Sequence, residues 1–306
     1  MTQYSVKIRH MKQIKTIYTH SGAFHADDVF AVALLKMLYP DAEIVRSRNK
    51  EDIDSADIVV DVGDVYDPDH NRFDHHQEGR AGERENGIFY SAMGLVWKHF
   101  GLQWCEDDRA LFERIDKSFV TYLDADDNGQ NTYLVNEKFG VDPVTLDDMV
   151  RLFRPAYGEP DEFDARFLRA VDWAQGILEL VKAKYVGKLK AATDFADAYS
   201  ASEDPRFVVM DKYIPLDEIV EGYAEKLLFL VYLDVSGTWR LKTVPKSKGD
   251  FESKKSLPAE WAGLRDDELR NITGVKDAKF CHNARFIAGA ETKEGAVALL
   301  KLALES

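Results

Sequence analysis

At 306 residues the chain is longer than one hydrophobic core usually serves, so two domains are expected. Hydrophobic residues at 45% and charged residues at 31% fit a globular protein and exclude a disordered one. A net charge of −14 opposes indiscriminate adhesion to nucleic acid or anionic lipid, yet leaves room for a phosphate substrate where dications reverse the local sign.

The first strand is expected at residues 15–20, ending in His20, with Ser21-Gly22-Ala23 as a turn. Asp27 then opens an apolar run over 28–38 that is too long for a strand and predicts a buried helix. Strands follow at 42–46 and 57–62, the second carrying Asp61 near its end, and 72–75 reads as a short extended piece. Helices are predicted over 90–100 and 107–123, the latter stopping at a loop over 124–129. This alternation predicts an α/β domain with a doubly wound, mainly parallel sheet, whose sites form outside the strands' carboxyl ends. From Asp161 to about Ser200, after Pro160, one long helix is expected to link domains. Beyond it, strands at 207–210, 227–233 and 239–244 and a closing helix over 292–304 give a smaller α+β domain. The expected division is 1–200 and 201–306, with the long helix in the first part.

Two cysteines, Cys105 and Cys281, cannot build a disulfide framework and read as buried thiols in a reducing compartment. The first fifteen residues lack a signal peptide's apolar stretch, and no run approaches the roughly 18 apolar residues of a membrane span, so a cytoplasmic protein with no membrane partner is expected.

Five of the eight histidines (His20, His25, His70, His75, His76) fall between residues 20 and 76 among Asp27, Asp28, Asp61, Asp64, Asp67 and Asp74. Imidazole with carboxylate is the ligand set of a borderline divalent ion such as Mn²⁺. His20, His25 and Asp27 read equally as ligands or as a helix start capped by Asp27. Asp61 ends an apolar strand, where burial without a partner is costly, and Gly63 leaves room for a cation beside it; a turn cap is the alternative. In Asp74-His75-His76 adjacent side chains of extended backbone diverge, so one histidine ligates while the other reaches substrate or orients a ligand. Asp124, Asp126 and Asp127 before Asn128-Gly129 suit either ligation or an ordinary turn. Donors returning from four segments suggest two ions, the arrangement that clamps both oxygens of an in-line displacement in phosphoester hydrolysis.

Residues 239–255 hold Arg240, Lys242, Lys246, Lys248, Lys254 and Lys255 against Asp250 and Glu252, with Trp239 and Phe251 beside them. That mixture suits single-stranded nucleic acid, and equally a solvated edge hairpin. His282, Asn283 and Arg285 form a second candidate patch.

The order His…His-x-Asp, Asp after an apolar strand, Asp-His-His and a later acidic loop resembles the DHH phosphoesterase superfamily. More closely, THSGAFHADD, DVGDVYDPDHNRFDHHQ, DADDNG, WRLKTVP, LPAEWAGLRDDEL and FCHNARFIAGAETKEGA are similar to motifs of the melanocyte proliferating gene 1 family, spanning about residues 19–296. The resemblance implies a DHH-type domain using two Mn²⁺ ions, with Mg²⁺ possible, and a C-terminal domain that covers the substrate. It implies a 3′–5′ exonuclease acting on RNA or short oligonucleotides. On matching positions His20, Asp27, Asp61, His75 and Asp124 or Asp127 become ligands, joined by His25 where most of the superfamily has a carboxylate. His76, with Asp74 beside it, becomes the group that touches the scissile phosphate or moves a proton. Arg240, Lys246, His282, Asn283, Arg285 and Gly289 become substrate contacts, Gly289 lying in Ile287-Ala288-Gly289-Ala290 where paired glycines are frequent. The competing readings are a phosphohydrolase for pyrophosphate or a dinucleotide, and a metal-stabilised binding protein without catalysis; an oligomer fits any of them.

Overall fold

The computed structural model describes residues 14–130, 132–133, 138–214, 225–247, 250 and 252–306. It divides into two compact units, Met1–Val186 and Gly187–Ser306.

The first unit opens with β1 (Thr16–Thr19), in which Ile17 and Thr19 are buried and alternate with half-buried neighbours. The apolar run after it forms α1 (Ala26–Leu38), and its first ten residues are all buried, as expected of a helix with no polar face. Next come β2 (Glu43–Arg46), the short α2 (Lys50–Ser55) capped by Asn49, and β3 (Ile58–Val60). Two very short strands, β4 (Tyr66–Asp67) and β5 (Arg72–Phe73), complete a sheet of order β2-β1-β3-β5-β4. β2, β1, β3 and β5 run parallel, and β4 pairs antiparallel with β5 at the edge. The sheet is therefore mixed rather than uniformly parallel. Its antiparallel edge was not legible because a two-residue strand has too few side chains to show an alternation.

α3 (Ala92–Trp104) packs on α1. α4 (Arg109–Ile115) then runs through one π-type turn at Asp116–Val120 into α5 (Thr121–Asp127). Helix thus continues to Asp127, where a loop from residue 124 was expected. Asp124 faces inward and is wholly buried, so this segment is the last turn of a packed helix and not a solvated turn. α6 (Leu146–Arg151) starts on a reciprocal capping box between Thr145 and Asp148.

α7 (Phe163–Ala201) is the expected long helix, and the division between the units falls within it, at residues 186 and 187. Its last turns belong to the second unit because Phe195 packs with Val208, Met210, Leu230 and Tyr232. That unit continues with β6 (Phe207–Met210), β7 (Phe229–Leu233), β8 (Trp239–Thr243), α8 (Asp266–Thr273), β9 (Ala278–Cys281), β10 (Ile287–Ala290) and α9 (Lys293–Glu305). The sheet order is β6-β7-β8-β10-β9, parallel only between β6 and β7. β9, β10 and α8 carry too few residues for a clear period and were not expected. Among the described residues no helix is long and apolar enough to cross a membrane.

Candidate metal centre

Three adjacent parallel strands of the first sheet end in the candidate ligands: β1 in His20, β3 in Asp61, and β5 in Asp74-His75-His76. The N-terminus of α1 supplies Asp27 and Asp28, and the last residue of α5 is Asp127. Asp61 sits just past its strand with φ 56°, a left-handed conformation that costs an aspartate on the order of 1 kcal/mol and turns its carboxylate between neighbouring strand ends.

The ligand atoms form linked clusters. His20 Nε2 lies 3.2 Å from Asp28 Oδ2 and 3.3 Å from Asp61 Oδ2. On the other side His75 Nε2 lies 3.3 Å from Asp61 Oδ1, 3.4 Å from Asp127 Oδ2 and 3.7 Å from Asp27 Oδ2. One oxygen of Asp61 therefore joins the group of His20 and Asp28, and its other oxygen meets the group of His75, Asp27 and Asp127.

Of these atoms, Asp28 Oδ2, Asp61 Oδ1 and His75 Nε2 are buried and make no hydrogen bond, and neither does the second oxygen of Asp27, Oδ1. Buried polar atoms left unpartnered are expensive, and their convergence in small groups of hard oxygen and imidazole nitrogen fits divalent cations of the Mn²⁺ type.

The electrostatics agree. Burial followed by the neighbouring charges of Asp127, Asp61 and Asp28 pushes Asp27 well above the ordinary carboxylate range. Burial likewise raises Asp127 to about 6 against the attraction of His75, with repulsion from Asp61 adding to the rise. Against burial, the carboxylates of Asp28 and Asp61 facing its ring hold His20 at about 10. Asp61 is depressed because His20 and His75 outweigh its own burial. Without an ion, then, protons stand in for positive charge at this centre.

Neighbouring residues fix the ligands. Asp28 Oδ1 accepts the backbone N–H of His25 (2.8 Å), leaving Oδ2 turned to His20. Asp27 is not the cap of α1: His25 occupies that position, and Asp27 Oδ2 instead accepts the N–H of Ala92 at the start of α3 (3.2 Å). Asp74 is buried and accepts the N–H of Asp64 (2.6 Å), the N–H of His76 (3.1 Å) and the His76 ring Nδ1 (2.8 Å). The Asp74 hydrogen bond outweighs desolvation and raises His76 to about 9. His76 is more than half exposed and lines the cavities on either side, so it is the member of the triplet available to a substrate.

Of the two acidic alternatives on α5, Asp127 joins the cluster and Asp124 does not. Asp124 accepts from Ser91 Oγ (2.7 Å), Ser91 N (3.1 Å) and Arg84 Nε (2.6 Å), and Arg84 also binds Asp116 (2.7 Å). His25 stands outside the clusters of ligand atoms found among the described residues; its ring centroid is 6.4 Å from that of His20, and burial lowers its pKa. Asp28 was not singled out by sequence reasoning, although the doublet Asp27-Asp28 carried the signal. Successive residues of a helix point about 100° apart, so a pair at its first turn can serve two directions.

The remaining candidates lie in the second unit. Arg240 on β8 pairs with Asp234 (2.7 Å) and stacks over Phe280 (5.0 Å). Gly289 faces both across the sheet: a Cβ there would meet Arg240 Nη1 at 2.6 Å and Phe280 at 2.7 Å, so the glycine makes space for that stack. Lys246 pairs with Glu252. His282, Asn283 and Arg285 belong to the turn between β9 and β10; His282 Nδ1 accepts from Ala284 N (3.0 Å), and Arg285, at φ 56°, donates to Leu257 O (3.3 Å). Lys248 and Phe251 lie outside the described residues.

The family model MYG1_exonuc, described as "Uncharacterised protein family (UPF0160)", matches residues 16–304. The chain is 32% identical to "MYG1 protein YER156C" of Saccharomyces cerevisiae over 96% of each chain. It is 33% identical to "MYG1 exonuclease" of Homo sapiens over 94% of this chain and 85% of that one. With "MYG1 protein C694.04c" of Schizosaccharomyces pombe it shares 32% over 96% of this chain and 99% of the other. A match of this extent, running through the segments that carry the clustered ligands, assigns the chain to the MYG1 family.

Proposed function

We propose that this chain is a two-metal phosphodiesterase of the DHH type, using Mn²⁺ or Mg²⁺, that shortens RNA or short oligonucleotides from the 3′ end in the cytoplasm. The observation that carries the reading is Asp61, whose two oxygens each serve a different ligand group. The name "exonuclease" borne by the human relative supports a nucleic-acid substrate.

On this reading His20, Asp28 and Asp61 hold one ion, and Asp27, Asp61, His75 and Asp127 the other. Bound dications would supply positive charge to a phosphoryl group, and would offset the crowding of four carboxylates. His76 keeps a proton at neutral pH through Asp74, and its free ring nitrogen is the donor to a leaving oxygen. Asp74 positions His76 without touching substrate. Asp124, through Ser91 and Arg84, fixes the helix that presents Asp127. The 201–306 segment is read as the part that covers the substrate, with Arg240, Lys246, His282, Asn283, Arg285 and Gly289 as candidate contacts.

The test is a 5′-labelled oligoribonucleotide incubated with Mn²⁺. The wild-type protein is expected to yield a ladder shortened from the 3′ end, and Asp61→Asn or His75→Ala to lower the rate at least about a thousandfold, the scale of a lost transition-state charge contact. Cleavage that survives both substitutions removes the reading. Turnover of pyrophosphate or a dinucleotide but no longer strand would move it to a small phosphate compound.

A further inference from the structure

The metal centre forms a wall between two cavities, and they differ in chemistry. One, of about 610 Å³, is lined on the Asp127 side by Asp27, Asp126, Asp127 and Asp147, with Arg151 already paired to Asp147. The other, of about 960 Å³, opens on the His20 side and shares His25, Asp61 and His76 with the first. Its walls include Arg48 and Lys50 together with the apolar Ile53, Val62 and Val65.

Arg48 and Lys50 are both exposed, and among the described residues neither has a carboxylate partner; Arg48 makes only a hydrogen bond from Nε to Ser21 O at 3.3 Å. These two cations line the same cavity as several carboxylates in a chain of net charge −14. The acidic residues of the same cavity do not cancel them equally. Asp74 is committed to His76 and Asp64 N, and Asp61 to the ligand groups, which leaves Asp54 and Asp64 at the exposed rim. Val62 packs with Ala56 and Val59 against Ile53, and Val65 stands 47% exposed, so an apolar ledge lies within the same cavity as the cations.

We propose that the His20-side cavity is the seat of a nucleoside monophosphate, its phosphate drawn by Arg48 and Lys50 and its base laid on Ile53, Val62 and Val65. This rests on the phosphodiesterase reading for its place in catalysis: the unit bound here is the terminal nucleotide that cleavage releases. A singly esterified phosphate offers several acceptor oxygens, which suits a guanidinium and an ammonium lining one cavity. The cavity's volume accommodates a base and ribose as well as phosphate.

The experiment is binding of adenosine 5′-monophosphate to the full chain, with and without Mn²⁺, by isothermal titration. Wild type is expected to bind in both conditions and more tightly with Mn²⁺. The double substitution Arg48→Ala and Lys50→Ala is expected to raise Kd at least tenfold in both, and Arg80→Ala, on the other cavity, to leave it within twofold. Ribose 5-phosphate, lacking the base, is expected to bind at least fivefold more weakly than adenosine 5′-monophosphate. Unchanged Kd in the double variant, verified as folded by circular dichroism, overturns the subsite; equal affinity for ribose 5-phosphate overturns its nucleoside assignment. Oligonucleotide cleavage by wild type, measured in parallel, separates the two claims. Cleavage with no effect of Arg48 and Lys50 on binding removes the subsite alone, and binding through them with no cleavage removes the phosphodiesterase reading alone.

Discussion

Asp61 and His76 carry opposite burdens at this centre. Asp61 is buried between two imidazoles and held ionised by them, whereas His76 is exposed and kept protonated by the aspartate behind it. Replacing Asp74 by Asn keeps an acceptor for the His76 ring but removes the charge that makes this hydrogen bond raise His76. The alkaline limb of the pH–rate profile should then move down from about 9 toward the ordinary imidazole value, with bound manganese unchanged. His76→Gln should lower kcat by about a hundredfold or more without loss of metal, within the range of a general acid. The sign for stability follows from the same shifts. His20 and His76 have raised pKa values in the folded chain, so their contribution is complete below about 6.5 and is lost as pH rises through about 9 to 10. In EDTA the melting temperature should therefore fall between pH 7 and 10, and His20→Gln should flatten that fall. Asp127, also raised, adds stability below its ordinary value that disappears by about pH 6.

At the scale of elements, the site depends on short segments held by specific contacts. Gly94 on α3 is one: a Cβ there would lie 2.2 Å from Asp124 Oδ2, so Gly94→Ala must displace the carboxylate that anchors α5. The expected cost is about 1–3 kcal/mol in denaturant unfolding, with weaker manganese binding because Asp127 lies on the same helix. Much of this was readable in advance. The continuous apolar character of α1 and the acidic strand ends announced a buried helix and a site at the sheet's carboxyl edge. Asp28 was missed because one side chain at a helix start looks like a cap until its partner His20 is placed opposite. Asp124 and Asp127 could not be told apart in the sequence, since only the helical turn between them sends one inward to Arg84 and Ser91 and the other to His75.

For the whole molecule, the two units divide the candidate residues by chemistry. Among the described residues the clustered metal-ligand candidates lie in the first unit, and the basic candidates at Arg240 and Lys246 are paired with Asp234 and Glu252 in the second. Those pairs explain why a run rich in lysine and arginine overstated the free positive charge. Metal should stabilise the chain as a ligand of the folded state, raising its melting temperature with concentration, and should displace protons from His20 and Asp127 as it binds. Calorimetric titration of manganese at pH 7 in buffers of different ionisation enthalpy should therefore register net proton release. The most direct measurement is anomalous scattering from crystals grown with Mn²⁺. Two peaks are predicted, one beside His20 and Asp28 and one beside Asp27, His75 and Asp127, with Asp61 contacting both. A single peak, or manganese that ignores Asp61, would contradict the account.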